Sequence, residues 1–508
     1  MKLRPVQKWK RLILHLSIKN TELAFHTGVN LSKNIYYSFM RKNKQVKRVI
    51  VIGAGVAGLS AAWRLCEEGY SVTVLEREPE VGGLSKTISY RGFLFDYSAH
   101  RFNSDNPAIV SRFKRILGKK LIRRKKKALI YHWGKYVTYP PLALEIVRTM
   151  PLWLVVRAGI EFLGVTLKSL FVAPKGKSFS DWTRSRFGKT LSVHLNEKYA
   201  EKLWKLPAHK LSGDWASTRV GGFKLRDFLL GLFSKLGYKR AYSQSHPDSD
   251  WFYYSIDGIG HFPKGLVKEI KKFGADVKVS HNVIGLEPIS KGYKVSYLHN
   301  AKIQTISADI VISTMPLDLL LASMKPAAPL PVKKAASSLG YLAVIMVNVL
   351  IDKKSINDAS WIYYPEPDLI FNYIMEFRNW SKKMAKPGKT SLCVNITCRV
   401  GDETWRMKDK DLITRVISDL EKVNILQARD VYDGFVVRLP YAYPVYDIAY
   451  KGKLAKVRNY LESLPNFYVS GRTGNFQYIN SDRAMENGIA LAEKIISSVY
   501  KQSHRSGY

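Results

Sequence analysis

Residues 48–76, RVIVIGAGVAGLSAAWRLCEEGYSVTVLE, constrain this chain more than any other stretch. The apolar, β-branched run at 49–52 predicts a strand, and Gly53, Gly55 and Gly58 follow it as G-x-G-x-x-G. A helix is expected from there to about residue 68, then a second strand over 71–75 that ends on Glu76. The three glycines serve different physical ends. Gly53 permits the tight turn, Gly55 lets a pyrophosphate approach the backbone, and Gly58 lets helix and strand pack closely. Val56 and Ala57 then open a helix whose unpaired N–H groups and partial positive charge suit phosphates. Glu76 stands 23 residues after Gly53, where an acid accepts a hydrogen bond from a ribose hydroxyl. A glycine-rich turn without a ligand is the bland alternative. Strand, helix, strand and acid in this order favour a dinucleotide site in an α/β fold.

Composition limits what surrounds that site. With 508 residues, 46% of them hydrophobic, the chain is too apolar for disorder and long enough for two or three domains, or for one large α/β domain with insertions. Cys66, Cys393 and Cys398 make no disulfide framework, which predicts a reducing, cytoplasmic setting. Cys393 and Cys398 lie five apart in a segment that reads as strand, so they should face opposite ways, and no metal site is expected. Lys and Arg number 81 against 41 Asp and Glu, a formal charge of +40. The first 48 residues hold twelve Lys/Arg and one acid, Glu22, so +29 remains on the rest of the chain. Trp9, Leu12, Ile13 and Leu16 fall at helical spacing beside Lys8, Lys10 and Arg11, which suits an anionic lipid surface, with a transit peptide as the alternative. No nucleic-acid module accompanies the charge, so a membrane surface or an anionic small-molecule substrate is expected ahead of nucleic acid. The longest apolar stretch, 151–171, is interrupted by Arg157, Glu161 and Lys168. It predicts an amphipathic helix packed on the core, the alternative being a helix lying in a membrane surface.

Gly82-Gly83-Leu84 in REPEVGGLSKT, just after Glu76-Arg77, lets a second loop reach the cofactor backbone. That addition resembles the FAD-binding pattern of the amine oxidase superfamily. The next segment, YRGFLFDYSAHRFNSDNP, resembles protoporphyrinogen oxidases and UDP-galactopyranose mutases, in which an aromatic-Asp-x-x-x-His run leads to the flavin. The resemblance implies a discontinuous Rossmann-like FAD-binding domain (47–130, 251–320 and 446–508) after a basic extension (1–46). A substrate domain is implied too, built of a helical cap region (131–250) and an antiparallel sheet (321–445). It places His100 either at the reactive edge of the flavin or packed behind it.

The stretch SFSDWTRSRFGKTLSVHLNEKYAEKLWKLPAHKLSGDWASTRV (178–220) resembles a helical segment of mutase-like flavoproteins. By that likeness Trp204 would stack on a substrate ring and Arg219 would meet a diphosphate, although Trp182, Trp204 and Trp215 also read as plain core residues. Lys205 replaces the usual glycine there. Val283 matches a valine whose backbone meets the flavin adenine. The closing segment LPNFYVSGRTGNFQYINSDRAMENGIALAEKI (464–495) resembles the superfamily's last motif. There Gly471 permits close approach and Arg472 can neutralise a pyrophosphate or an anionic reduced flavin. Ala484 and Met485 would offer N–H groups to the ring, and Asp482 would cap the helix or reach the ribityl chain. Tyr443 and Tyr478 match mutase positions around the substrate, while Asn480 replaces an acid.

These likenesses imply an FAD-dependent oxidoreductase acting by hydride transfer to flavin N5, with His100, Tyr478 and Arg472 in the reacting centre. The expected substrate is a sugar nucleotide or another anionic glycan precursor. The alternatives are a mutase-like isomerase using reduced flavin as nucleophile and a protoporphyrinogen oxidase-like enzyme. A flavin-binding protein without turnover, or one held peripherally at an anionic membrane, is the reading from another class.

Overall fold

The computed structural model describes residues 46–141, 143–172, 176–219 and 250–505. Its nucleotide sheet has five parallel strands in the order Phe467–Val469, Ile310–Ser313, Arg48–Ile52, Ser71–Leu75 and Asp276–Lys278. Counted along the chain from the Asp276 edge this is 3-2-1-4-5, the doubly wound order, with the switch between Arg48–Ile52 and Ile310–Ser313. The central strand is β-branched throughout because both its faces are covered. Val49 and Val51 pack with Leu59, Trp63 and Ala492 on one side. Ile50 and Ile52 pack with Tyr293, Leu320 and Leu454 on the other. Helix Ser481–Arg505 lies so close to helix Val56–Glu67 that a Cβ on Gly488 would come within 2.3 Å of the Ala57 carbonyl oxygen. Strands Asn282–Ile289, Gly292–His299 and Lys302–Ala308 form an antiparallel sheet beside it.

A second sheet of seven strands runs in the order Val431–Pro444, Tyr341–Ile351, Thr390–Cys398, Tyr373–Met375, Trp361–Tyr363, Ala128–His132 and Lys135–Thr138. All its pairings are antiparallel except that of Trp361–Tyr363 with Ala128–His132. The region read as helical from 131 onward thus opens with a hairpin, the short strand pair that the likeness of HWGKYVTYPPL to mutases implies before Tyr139-Pro140; in Ala128–His132 buried and half-exposed positions alternate. Cys393 and Cys398 are free and buried in different core clusters on the two faces of their strand, as the odd spacing requires.

The helical region comprises Ala143–Thr149, Leu152–Phe171, Phe179–Leu191, Lys198–Trp204 and Gly213–Arg219. Ser178 and Asp181 form a capping box at the start of the third. Helix Leu152–Phe171 buries only Leu154, Ala158 and Phe162, with Glu161 bonded to Thr190 beside them, and most of its other apolar side chains face outward, unlike the core helix expected. It is apolar around most of its circumference, so one narrow stripe suffices for attachment. No described helix is long and apolar enough to cross a membrane, and the described residues contain no cluster of metal ligands. Of the basic extension, residues 1–45 lie outside the described residues, as does the side chain of Arg219.

Candidate active site

The glycines converge at the carboxyl ends of the two switch strands. Gly53 adopts φ +102°, and a Cβ there would lie 2.1 Å from Oγ1 of Thr314. Thr314 holds its place by donating to the Ile52 carbonyl at 2.9 Å. At Gly58 a Cβ would sit 2.1 Å from the Gly53 carbonyl oxygen, so helix and turn touch there as the motif requires. Gly55 is the N-cap of helix Val56–Glu67 and supplies no side-chain cap. Its carbonyl accepts the first helical bond, from Leu59 N–H, which leaves the N–H groups of Val56, Ala57 and Gly58 without helical partners. The double-glycine loop is tied to this turn by Gly82 N–H donating to the Ala54 carbonyl at 2.8 Å. Gly83 then lies against Gly55.

Glu76 is buried, and both its oxygens serve the scaffold: one accepts from Ala54 N–H at 2.7 Å, the other from Glu78 N–H at 3.0 Å. Each carboxylate oxygen keeps a lone pair for a ribose hydroxyl. Val283 faces the same cleft from the antiparallel sheet, beside a bulge in its strand.

The cleft, about 670 Å³, is lined by both glycine loops, Glu76, Arg77 and Leu84, and also by His100, Gly471, Arg472 and Ala484. Gly471, at φ +83°, brings Arg472 against the first helix; a Cβ on it would lie 3.2 Å from Cβ of Ala57. The Arg472 guanidinium stands 4.6 Å from the ring centre of Tyr443 and 4.5 Å from that of Tyr478, which stack on each other at 5.3 Å. Its Nη1 donates to the Ile479 carbonyl at 3.4 Å, while Nε and Nη2 are buried with no partner among the described residues. Tyr478 is set by its own N–H, which donates to the Tyr446 hydroxyl at 2.7 Å. Burial and then the Arg472 charge push the His100 imidazole down to about 3, so it is neutral at neutral pH. His100 follows Ser98, whose φ of +76° turns the chain and whose hydroxyl meets that of Tyr373 at 2.5 Å. Asp96 anchors this loop, accepting from Thr87 Oγ1, Tyr254 OH and Ile259 N–H; burial raises it to about 7.

Three sequence expectations need correction. Trp204 is fully buried, edge-on to Trp215, Tyr443 and Tyr478 at about 6 Å or less, so it backs the two tyrosines and has no face open to a substrate. Ala484 N–H already donates to the Asn480 carbonyl at 2.9 Å, and Met485 is wholly buried one position further into the helix. The N–H groups without a helical backbone partner belong to the preceding turn, which starts one residue after Asn480, and those of Asp482 and Arg483 are taken up by the Asp482 carboxylate. Asp482 is not the cap, a place taken by Asn480; burial raises its carboxyl to about 6 while its own N–H and that of Arg483 donate to it. Lys86 is a cleft residue that sequence reasoning missed. It is buried, lines the cleft, lies over the Tyr97 ring at 5.8 Å and has no ion-pair partner among the described residues. Its only sequence signal is its place three residues after Gly83.

A cradle built of glycines where Cβ atoms would collide, uncapped N–H groups beside it, and unpaired donors on Arg472 and Lys86 together fit a large anionic dinucleotide. The fold and the cleft define the class of FAD-dependent oxidoreductases. More particularly, the chain belongs to the flavin containing amine oxidoreductase family, whose model matches residues 56–496. Protoporphyrinogen oxidase 2 of Arabidopsis thaliana is 34% identical over 110 residues, 20% of this chain and 21% of the relative. The L-amino acid oxidase Lm29 of Lachesis muta is 24% identical over 352 residues, 64% of each chain. The matches therefore span less than two thirds of these relatives' lengths. Among solved structures, reduced UDP-galactopyranose mutase superposes with a TM-score of 0.76 at 20% identity, covering 89% of this chain and 94% of the other. A putative protoporphyrinogen oxidase from Exiguobacterium sp. 255-15 gives 0.70 at 17% identity, covering 89% and 99%. These likenesses establish the fold.

Proposed function

We propose that this FAD-dependent enzyme oxidises a small anionic substrate, a sugar nucleotide or another anionic glycan precursor. The observation that carries this reading is Arg472, a guanidinium with two buried nitrogens that have no partner among the described residues, set against the stacked rings of Tyr443 and Tyr478 and beside a neutral imidazole. FAD held in this cleft would supply the two-electron chemistry of a hydride acceptor. The N–H groups of Val56, Ala57 and Gly58 serve the pyrophosphate, and Glu76 the ribose. The planar fork of Arg472 pairs two oxygens of an anion at once. The tyrosines wall the substrate and keep water from the reacting atoms, and His100, uncharged, has the capacity to take up a proton as the substrate is oxidised. The basic surface suits peripheral contact with an anionic membrane.

The test is anaerobic bleaching of the flavin absorbance by a panel of UDP-sugars, other anionic glycan precursors and protoporphyrinogen. Bleaching by one UDP-sugar supports the proposal; bleaching by protoporphyrinogen alone replaces it with a porphyrinogen oxidase. A second reading is isomerisation of a UDP-sugar by the reduced enzyme, favoured by the Tyr443–Tyr478 pair. It predicts conversion of UDP-galactopyranose only after reduction, with no net oxidation.

A further inference from the structure

Helix Leu152–Phe171 turns its apolar side chains outward in an ordered way. Trp153, Val156, Ile160, Leu163, Leu167 and Leu170 recur every three or four residues and so form one stripe; Ile160 is 67% exposed, Leu170 73%, and Phe171 at the end 88%. Leu154, Ala158 and Phe162, on the opposite side, attach the helix to the protein. Monomeric proteins rarely leave so long an apolar surface open.

We infer that this stripe is the element by which the protein lies in the interface of an anionic lipid bilayer, the helix parallel to the membrane plane. The inference rests on the reading that the protein meets an anionic surface. Charge argues for this occupant. The helix has one acid, Glu161, and it is drawn into the protein, accepting from Thr190 N–H at 2.6 Å and Thr190 Oγ1 at 3.0 Å. Arg157, which also donates to Glu161 at 2.9 Å, and Lys168 stay exposed at the stripe's edge, where Lys168 is the cation left without an ion-pair partner among the described residues, its stem free to lie on hydrocarbon while its ammonium meets a lipid phosphate. The chain as a whole carries +40. A second copy fits less well. A 20-residue helix is about 30 Å long and about 10 Å across, so its stripe offers roughly 300 Å² per partner. Stable interfaces need roughly 800 Å² per partner, and two chains of this charge repel. Spanning is excluded because one stripe of the helix is bound to the protein and no described helix is apolar enough.

The test uses the full-length holoprotein and co-sedimentation with phosphatidylcholine vesicles, with and without phosphatidylglycerol. The comparison variant is Ile160→Glu/Leu167→Glu, whose altered side chains are exposed and whose fold is checked by its bound-flavin spectrum. A Leu163→Cys protein carries an environment-sensitive fluorophore; the native cysteines are buried. The expected results are binding to the anionic vesicles, a loss of about tenfold or more in the variant, and a blue shift of the probe on binding. Wild-type protein that binds no vesicle overturns both this inference and the anionic-surface reading. Binding that the variant retains in full, with the probe unshifted, overturns the helix alone and leaves the basic surface as the contact. A probe already shifted without vesicles, in a dimer or a monomer, assigns the stripe to a second copy or to another segment of the chain and overturns it too.

Discussion

The Thr314 hydroxyl occupies the space that a side chain on Gly53 would need: a Cβ there would come within 2.1 Å of Oγ1. Strand ends from residues 53 and 314 are thereby locked together across the switch point of the sheet, and the turn that receives the pyrophosphate takes its shape from that contact.

Gly53→Ala should therefore be a folding lesion, costing about 1–3 kcal/mol because it combines the collision with a left-handed φ. Thermal unfolding of the flavin-free protein should show it. Gly55→Glu is different: a Cβ there meets nothing nearer than Cα of Gly83 at 4.0 Å. That variant should fold yet elute without flavin, and full flavin occupancy would remove the assigned site.

Asp96→Ala leaves Ile259 N–H buried without an acceptor and Tyr254 OH with only the weak acceptor Met384 Sδ at 3.8 Å, at about 1–3 kcal/mol for the amide and less for the hydroxyl. Asp96→Asn should cost less and also change the pH dependence. The folded carboxyl titrates near 7, above the unfolded value of 3.8, so the folded chain holds the extra proton between those values. Its contribution to stability thus falls as pH rises from about 4 to 7, and Asp96→Asn should flatten that slope in urea titrations.

His100 has the opposite sign. Its folded value, about 3, lies below the ordinary 6.5, so the unfolded chain takes up a proton in that window and the folded chain does not. Stability should fall as pH drops from about 6.5 toward 3, and His100→Gln should lessen the fall. His100→Ala should keep the flavin and lower turnover by about 10²-fold if the imidazole takes the substrate proton. Unchanged turnover would take His100 out of the reaction.

Arg472→Lys keeps the charge and loses the fork. A charge-assisted hydrogen bond contributes about 1.5–3 kcal/mol, so substrate KM or flavin Kd should rise roughly tenfold to a hundredfold, measured by stopped-flow reduction and flavin titration.

Trp204→Ala should cost about 3–5 kcal/mol, as for other large buried aromatics, and appear as a lowered Tm. Trp204→Phe should leave KM within about twofold if the ring supports Tyr443 and Tyr478 and does not touch substrate. A large rise in KM at unchanged Tm would return Trp204 to the substrate.

What could be seen in the sequence was local. Gly53, Gly55, Gly58 and Glu76 sit within one strand–helix–strand unit, and their spacing alone encodes the turn, the open helix end and the acid beside it. Gly82 and Gly83 were legible because a backbone approaching a backbone requires glycine. Lys86 was not, since only the fold reveals that its ammonium is enclosed beside Tyr97. Nor was the offset between the first turn after Asn480 and the N–H groups of Ala484 and Met485, because a small difference in where a helix starts leaves no mark on composition. Helix Leu152–Phe171 was visible as a helix, but which of its two apolar stripes meets the protein depends on partners distant in sequence.

The strand Phe467–Val469 completes the nucleotide sheet by pairing with Ile310–Ser313, and Gly471 closes on Ala57. During synthesis, then, the first turn waits while roughly 400 further residues are translated, some 20–80 s at ordinary ribosomal rates. Through that interval strand Arg48–Ile52 gains its sheet neighbours, while Val49 and Val51 still lack Ala492, their packing partner from helix Ser481–Arg505. The flavin cleft is thus completed only after residues 471–484 have been made, and until then its apolar walls stand open on that side.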